Sequence, residues 1–155
     1  MMGSGKSTVG KILAKKLGKK CIDLDIQIEK KVGKSIEKIF ENEGELKFRY
    51  YENLELKKIS NSVVACGGGV ILSNENLELM RKNGQTIYLK AKVNELVRRL
   101  NGSINRPLIK NQNIRDTLEK ILVKRKKKYE SIANISVTTD GLTPSEVSSA
   151  ILRKL

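Results

Sequence analysis

Histidine and tryptophan are both missing from these 155 residues, and proline, cysteine and phenylalanine occur only twice each. Without histidine the chain lacks the side chain that most often serves as general base near neutral pH, and with it the commonest transition-metal ligand. Carboxylates must carry any proton transfer, and hard oxygen donors must hold any metal. Cys21 and Cys66 match no zinc or redox spacing, and each borders an apolar run, the setting of a buried reduced thiol. No apolar run reaches the roughly 20 residues that span a bilayer, and the first residues have neither the basic segment nor the apolar core of a secretory leader. Acidic residues are the scarce charge, 17 against 31 basic ones, for a formal net charge of +14. Such an excess can signal nucleic-acid binding, but the lysines are spread along the chain. Aromatics at 4% are too few for an interleaved stacking surface. The expectation is a cytoplasmic protein that binds neither nucleic acid nor membrane. Its positive field would steer small anions toward a cleft.

What is present is alternation. Helical spacing over 6–17 puts Val9, Ile12, Leu13 and Leu17 on one face, with Gly18 as the stop. Residues 21–24, 62–66, 86–89 and 135–138 read as short buried strands. Helices are predicted at 26–32, 36–42, 46–59, 74–82, 93–100 and 114–132, and a last one is opened by Pro144. Short apolar strands between helices imply an α/β chain with a central parallel sheet covered on both faces. Its length suits one domain over 1–155. Ligands in such sheets bind beyond the carboxyl ends of the strands, so Asp23, Asp25, Gly67-Gly68-Gly69 and the opening loop are expected at one edge.

The opening loop, Met2-Gly3-Ser4-Gly5-Lys6-Ser7-Thr8, runs straight into a helix. It carries the Gly-Lys-Ser/Thr end of a phosphate-binding loop. Turned-in backbone amides and the helix N-terminus would cradle phosphate, Lys6 would reach the β- and γ-phosphates, and the Ser7 hydroxyl would bind Mg²⁺. The first glycine of the pattern would lie one residue before Met1, and the strand that normally leads into the loop, in mid-sheet, has no counterpart. A chain started at an internal methionine, or shortened, is therefore expected. One extended upstream by an apolar strand ending in glycine is expected to be more stable and more active. Asp23 and Asp25, at i and i+2, would face the same side of a strand end; taken alone, an Asp-x-Asp is better read as a helix cap, and its place just after a P-loop helix is what favours a functional role.

With Gly44-Glu45…Phe48-Arg49…Glu52, the triple glycine, Arg106-Pro107-Leu108 and Arg125…Tyr129 following in order, the chain resembles the shikimate kinases over nearly its whole length. The resemblance implies a three-layer P-loop kinase fold with its first strand missing, substrate-binding helices near 26–60 and a lid near 101–113. It implies transfer of the γ-phosphoryl group of MgATP to shikimate. Gly3, Ser4, Gly5, Lys6, Ser7, Thr8 and Arg106 would bind ATP; Asp25, Arg49, Gly68 and Arg125 would bind shikimate. Asp25, Lys6 and Arg106 would be catalytic, with Asp25 as base. Ser7 would hold Mg²⁺, with Asp23 in its shell. Phe40 and Phe48 would wall the pocket, Glu52 would hold Arg49, and the enzyme would be a monomer. Without the resemblance, Arg125 reads as part of a solvated basic face. The loop 138–144 contains no arginine to stack on a base, which leaves nucleobase selectivity open. Competing readings are a gluconate or nucleoside monophosphate kinase, and an idle nucleotide-binding module.

Overall fold

The structure is a computed structural model that describes residues 1–101 and 113–155. The predicted order of elements is present. Helix α1 covers Lys6–Lys16 and strand β1 Lys20–Asp23; α2 is Leu24–Val32, α3 Ile36–Lys58 and β2 Ser62–Ala65. A short 3-10 turn at Val70–Leu72 leads to α4 (Asn74–Asn83), β3 (Ile87–Lys90) and α5 (Val93–Leu100). Then come α6 (Ile114–Ile132), β4 (Ile135–Thr138) and α7 (Pro144–Leu152).

Local chemistry explains the boundaries. Ser35, Ser73 and Asn113 cap their helices through side-chain oxygens, each such cap contributing about 1 kcal/mol. Thr143 and Glu146 cap α7 reciprocally, with Pro144 in its first turn. The two helices predicted at 36–42 and 46–59 form one run bent at Gly44, whose φ of 81° and ψ of 170° lie outside the helical region. A left-handed φ with so extended a ψ is open in practice only to glycine.

Among the described residues the strand pairing is parallel. β1 pairs with β2, setting Asp23 beside Ala65, and β3 pairs with β4 from Ile87↔Ile135 to Lys90↔Thr138. Among the described residues the strands stand as these two pairs, and β2 is not hydrogen-bonded to β3. A mostly apolar groove of about 560 Å³ runs between them, lined by Val63 and Ala65 on one side, Ile87 and Leu89 on the other, and Leu13 and Ile71.

Three apolar clusters hold the layers together. Val9 and Leu13 of α1 meet Leu89, Ile135, Val137, Val147 and Ile151. Leu24, Ile28, Ile39 and Phe48 join α2 to α3. Met1, Ile71, Tyr88, Leu96, Leu118 and Tyr129 fill the side between α5 and α6. No helix among the described residues is long and apolar enough to cross a membrane.

Candidate active site

The parallel register of β1 and β2 brings the segment after Asp23 alongside the three glycines after Ala65, at the same edge as the start of α1. The loop turns on Gly3 and Gly5, at φ 73° and 85°. Gly5 is the left-handed residue before α1, and its carbonyl accepts from Val9 N at 2.8 Å. Ser4 is buried, and its Oγ donates to the Met1 carbonyl at 2.9 Å. Lys6 Nζ donates to the same carbonyl at 2.6 Å. Ser7 Oγ donates to Asp23 Oδ2 at 2.7 Å, and Thr8 is exposed in the same helical turn. The loop therefore presents a lysine and a hydroxyl from one helical start, with the Asp23 carboxylate from the end of β1 set against the hydroxyl.

Asp23 and Asp25 do not both leave a strand. Asp23 ends β1 and caps α2, accepting from Ile26 N at 3.5 Å, whereas Asp25 lies in the first turn of that helix. The strand alternation expected from their spacing is thus replaced by a cap and a helical turn. Burial raises the Asp25 carboxyl above the usual aspartate range, and Asp23 adds to this, while Lys6 and Arg49 pull it back. Those partners put Asp25 in the field of both the phosphate loop and the guanidinium on α3.

Arg49 is held from its own helix. Its Nη1 donates to Glu52 Oε2 at 2.8 Å and its Nη2 to Glu45 Oε1 at 3.0 Å, and its guanidinium lies 5.0 Å from the Phe48 ring. Phe40 and Phe48 pack at 4.9 Å. From α6, Arg125 Nη1 donates to the Gly68 carbonyl at 3.3 Å, and Tyr129 Oη donates to the same atom at 2.6 Å. Burial raises the Tyr129 hydroxyl, while Arg125 and Arg49 both lower it. The two arginines therefore converge on one spot from different helices.

The glycine loop sits against these side chains. A methyl on Gly67 would stand 2.8 Å from Asp25 Oδ1, and one on Gly69 only 2.8 Å from Arg49 Cζ. Gly68 is roomier, with 3.5 Å to Tyr129 Oη, and engages through its carbonyl. The resemblance assigns shikimate to Gly68 alone of the three, whereas it is Gly67 and Gly69 that lie closest to Asp25 and Arg49.

Beside the phosphate loop lies a second cavity of about 450 Å³, which Gly5, Lys6, Arg98, Arg99, Thr139 and Leu142 help to line. Arg99 Nε donates to Glu95 Oε1 at 2.7 Å, Nη1 to Thr139 Oγ1 at 3.0 Å and Nη2 to the Thr139 carbonyl at 2.8 Å. Hydrogen bonds from Arg98 and Arg99 hold the Glu95 carboxyl down to about 2 despite some desolvation. The arginines absent from the loop 138–144 thus arrive from α5. No local pattern reveals this, because the β3–β4 pairing brings α5 to a loop some 40 residues later in the chain. Arg106 lies outside the described residues.

A glycine loop at a helix start, facing carboxylates on one side and guanidinium groups beyond them, defines a P-loop kinase for a small anionic acceptor. The comparisons narrow the class. The family model described as shikimate kinase matches residues 2–155. Relatives named shikimate kinase include one from Bordetella avium, 39% identical over 100% of this chain and 76% of that protein, and one from Thermodesulfovibrio yellowstonii, 40% identical over 99% and 90%. The solved shikimate kinase from Acinetobacter baumannii, in complex with shikimate, superposes with a TM-score of 0.92 at 35% identity, over 98% of this chain and 87% of that one. This chain belongs to the shikimate kinase family.

Proposed function

We propose that the chain transfers the γ-phosphoryl group of MgATP to the 3-hydroxyl of shikimate, giving shikimate 3-phosphate and ADP on the route to chorismate and the aromatic amino acids. One observation carries the residue assignment. Asp25 and Arg49 lie against Gly67 and Gly69 of one loop, and the charges of Lys6 and Arg49 both act on the Asp25 carboxyl. A hydroxyl held by Asp25, on a ring whose carboxylate meets Arg49 and Arg125, would then face the phosphate loop. Two planar guanidinium groups suit a carboxylate, each able to meet both of its oxygens.

In this reading Asp25 orients the attacking hydroxyl and takes its proton as the new oxygen–phosphorus bond forms and the bond to the ADP oxygen breaks. A base with a raised carboxyl pKa accepts that proton more readily than an ordinary aspartate. Lys6 and the loop amides of Gly3, Ser4, Gly5, Ser7 and Thr8 stabilise charge on the phosphate oxygens. Arg106, assigned through its Arg-Pro-Leu setting alone, would meet the transferring group.

The Ser7 hydroxyl and the Asp23 carboxylate, 2.7 Å apart, fit magnesium, which takes one or two protein oxygens and completes its sphere with water and phosphate. Among the described residues no cluster of three or more carboxylate or thiol side chains could cage a metal. When bound, the ion would neutralise phosphate charge. Cys21 and Cys66 are free thiols, which supports a reduced cytoplasmic setting, and the enzyme is read as a monomer; sedimentation would check the latter.

The test is ADP release with shikimate, quinate, gluconate or CMP as acceptor. Turnover with shikimate alone is expected. Turnover with CMP or gluconate but not shikimate would overturn the proposal.

A further inference from the structure

Behind Arg49 lies a polar network of which the motifs name only Glu52, leaving Asn53 and Asn76 without a role. Glu52 is fully buried on α3. A carboxylate so enclosed is costly unless donors answer it. Its Oε2 accepts from Arg49 Nη1 at 2.8 Å and from Asn76 Nδ2 at 3.0 Å. Its Oε1 is buried and has no hydrogen-bond partner among the described residues. The two oxygens are chemically equivalent, so Arg49 alone does not decide which of them it receives; the second donor does.

Asn76 supplies that donor from the first turn of α4 and is itself fully buried. Its carboxamide is engaged at both ends. Nδ2 also points to the Val70 carbonyl at 3.4 Å, and Oδ1 accepts from Asn53 Nδ2 at 3.0 Å. Val70 follows Gly69, whose bare Cα lies against the Arg49 guanidinium. One amide therefore ties the glycine loop to the carboxylate that aims Arg49.

We propose that Asn76 is a positioning residue for the acidic substrate: by donating to Glu52 Oε2 and to the Val70 carbonyl, it keeps Arg49 in register with the triple-glycine loop so that the guanidinium meets the substrate carboxylate. This rests on the reading that Arg49 receives that carboxylate. Removing the amide frees Glu52 to rotate or to hold a proton, and either change releases Arg49. The ionisable groups facing Glu52 are Arg49 on its own helix, Asp25 from α2 and Cys66 beyond β2. Burial already lifts its carboxyl, and Arg49 and Asn76 oppose the rise.

The experiment varies shikimate and ATP separately across pH for Asn76→Leu, Asn76→Asp, Glu52→Gln/Asn76→Asp and Arg49→Gln. Loss of a hydrogen bond to a buried charge corresponds to a factor of about ten or more. Asn76→Leu is expected to raise the shikimate KM by about that factor, with kcat and the ATP KM within about threefold. The acid limb of kcat/KM should move to higher pH, because Glu52 without its donor keeps its proton longer. Asn76→Asp sets a second carboxylate against Glu52 and should also raise the shikimate KM. The double variant, with a single carboxylate restored, should recover much of that loss, which a merely structural role would not produce. If Asn76→Leu does not fold, the Asp variant and the double variant decide. A folded Asn76 variant with unchanged shikimate KM and an unmoved pH limb overturns the proposal, as does a double variant no better than Asn76→Asp. A raised shikimate KM in Arg49→Gln with no effect at Asn76 sinks this inference alone; an unchanged KM in Arg49→Gln sinks the underlying reading.

Discussion

Substituting alanine for each of the three glycines in turn separates room for side chains from backbone freedom. Gly69 has φ −97° and ψ −2°, and neither Gly67 nor Gly68 has a positive φ, so the backbone accepts alanine at all three. What differs is what the new methyl meets. At Gly69 it would lie 2.8 Å from Arg49 Cζ and 3.0 Å from Nη1, against about 3.5–4 Å for unstrained contact. Arg49 Nη2 is met first, so the guanidinium must withdraw by on the order of 1 Å, which disturbs both its hydrogen bonds, Nη2 to Glu45 Oε1 at 3.0 Å and Nη1 to Glu52 Oε2 at 2.8 Å. A hydrogen bond to a charged group contributes roughly 1.5–3 kcal/mol, so Gly69→Ala should raise the shikimate KM by about ten- to a hundredfold. At Gly67 the methyl would stand 2.8 Å from Asp25 Oδ1. Gly67→Ala displaces the proposed base, and kcat should fall by about a hundredfold. At Gly68 the nearest atom is 3.5 Å away, an ordinary contact, so Gly68→Ala should stay within about threefold of the parent. Steady-state kinetics on variants shown by thermal melts to be folded make the comparison. Gly68→Ala as the most damaging of the three, or an unchanged shikimate KM in Gly69→Ala, would refute this reasoning.

Periodicity and punctuation revealed the order of elements because each is decided locally. Apolar spacing places α6, Pro144 starts α7, and Gly44 breaks α3. The family motifs likewise named Asp25, Arg49 and Arg125 from contiguous residues. Sequence reasoning failed where the deciding neighbour is distant. Asp25 reads as a strand-end carboxylate until Asp23 is seen to cap α2. Arg99 reads as one more surface charge until Thr139, 40 residues later, receives it. Asn76 has the composition of any first helical turn, and its value comes from Glu52, 24 residues earlier. The parallel α/β fold, by contrast, was legible, and the two parallel pairs that the described residues form, with a groove between β2 and β3, agree with the expectation that a mid-sheet strand has no counterpart.

Three further outcomes are expected. Arg99→Ala removes the tie from α5 to Thr139, so the ATP KM should rise several-fold while the shikimate KM stays put; the reverse pattern would detach that cavity from the nucleotide. Ser7→Ala removes the hydroxyl paired with Asp23, and activity should demand more magnesium, read as a shift of the metal titration at fixed ATP; an unshifted titration would count against Ser7 as a ligand. Asp25→Asn should abolish turnover yet raise the melting temperature above the carboxylate range. Burial lifts the folded Asp25 carboxyl above its ordinary 3.8 by more than Lys6 and Arg49 lower it. The folded state therefore binds the proton more tightly than the unfolded chain. The stability this contributes is complete below pH 3.8 and is lost as pH rises through the raised value. Asparagine has no proton to lose, so its advantage should be present at about pH 8 and shrink toward about pH 4. Melts at the two pH values decide the matter, because an equal difference at both would mean that the charge on Asp25 costs the fold nothing.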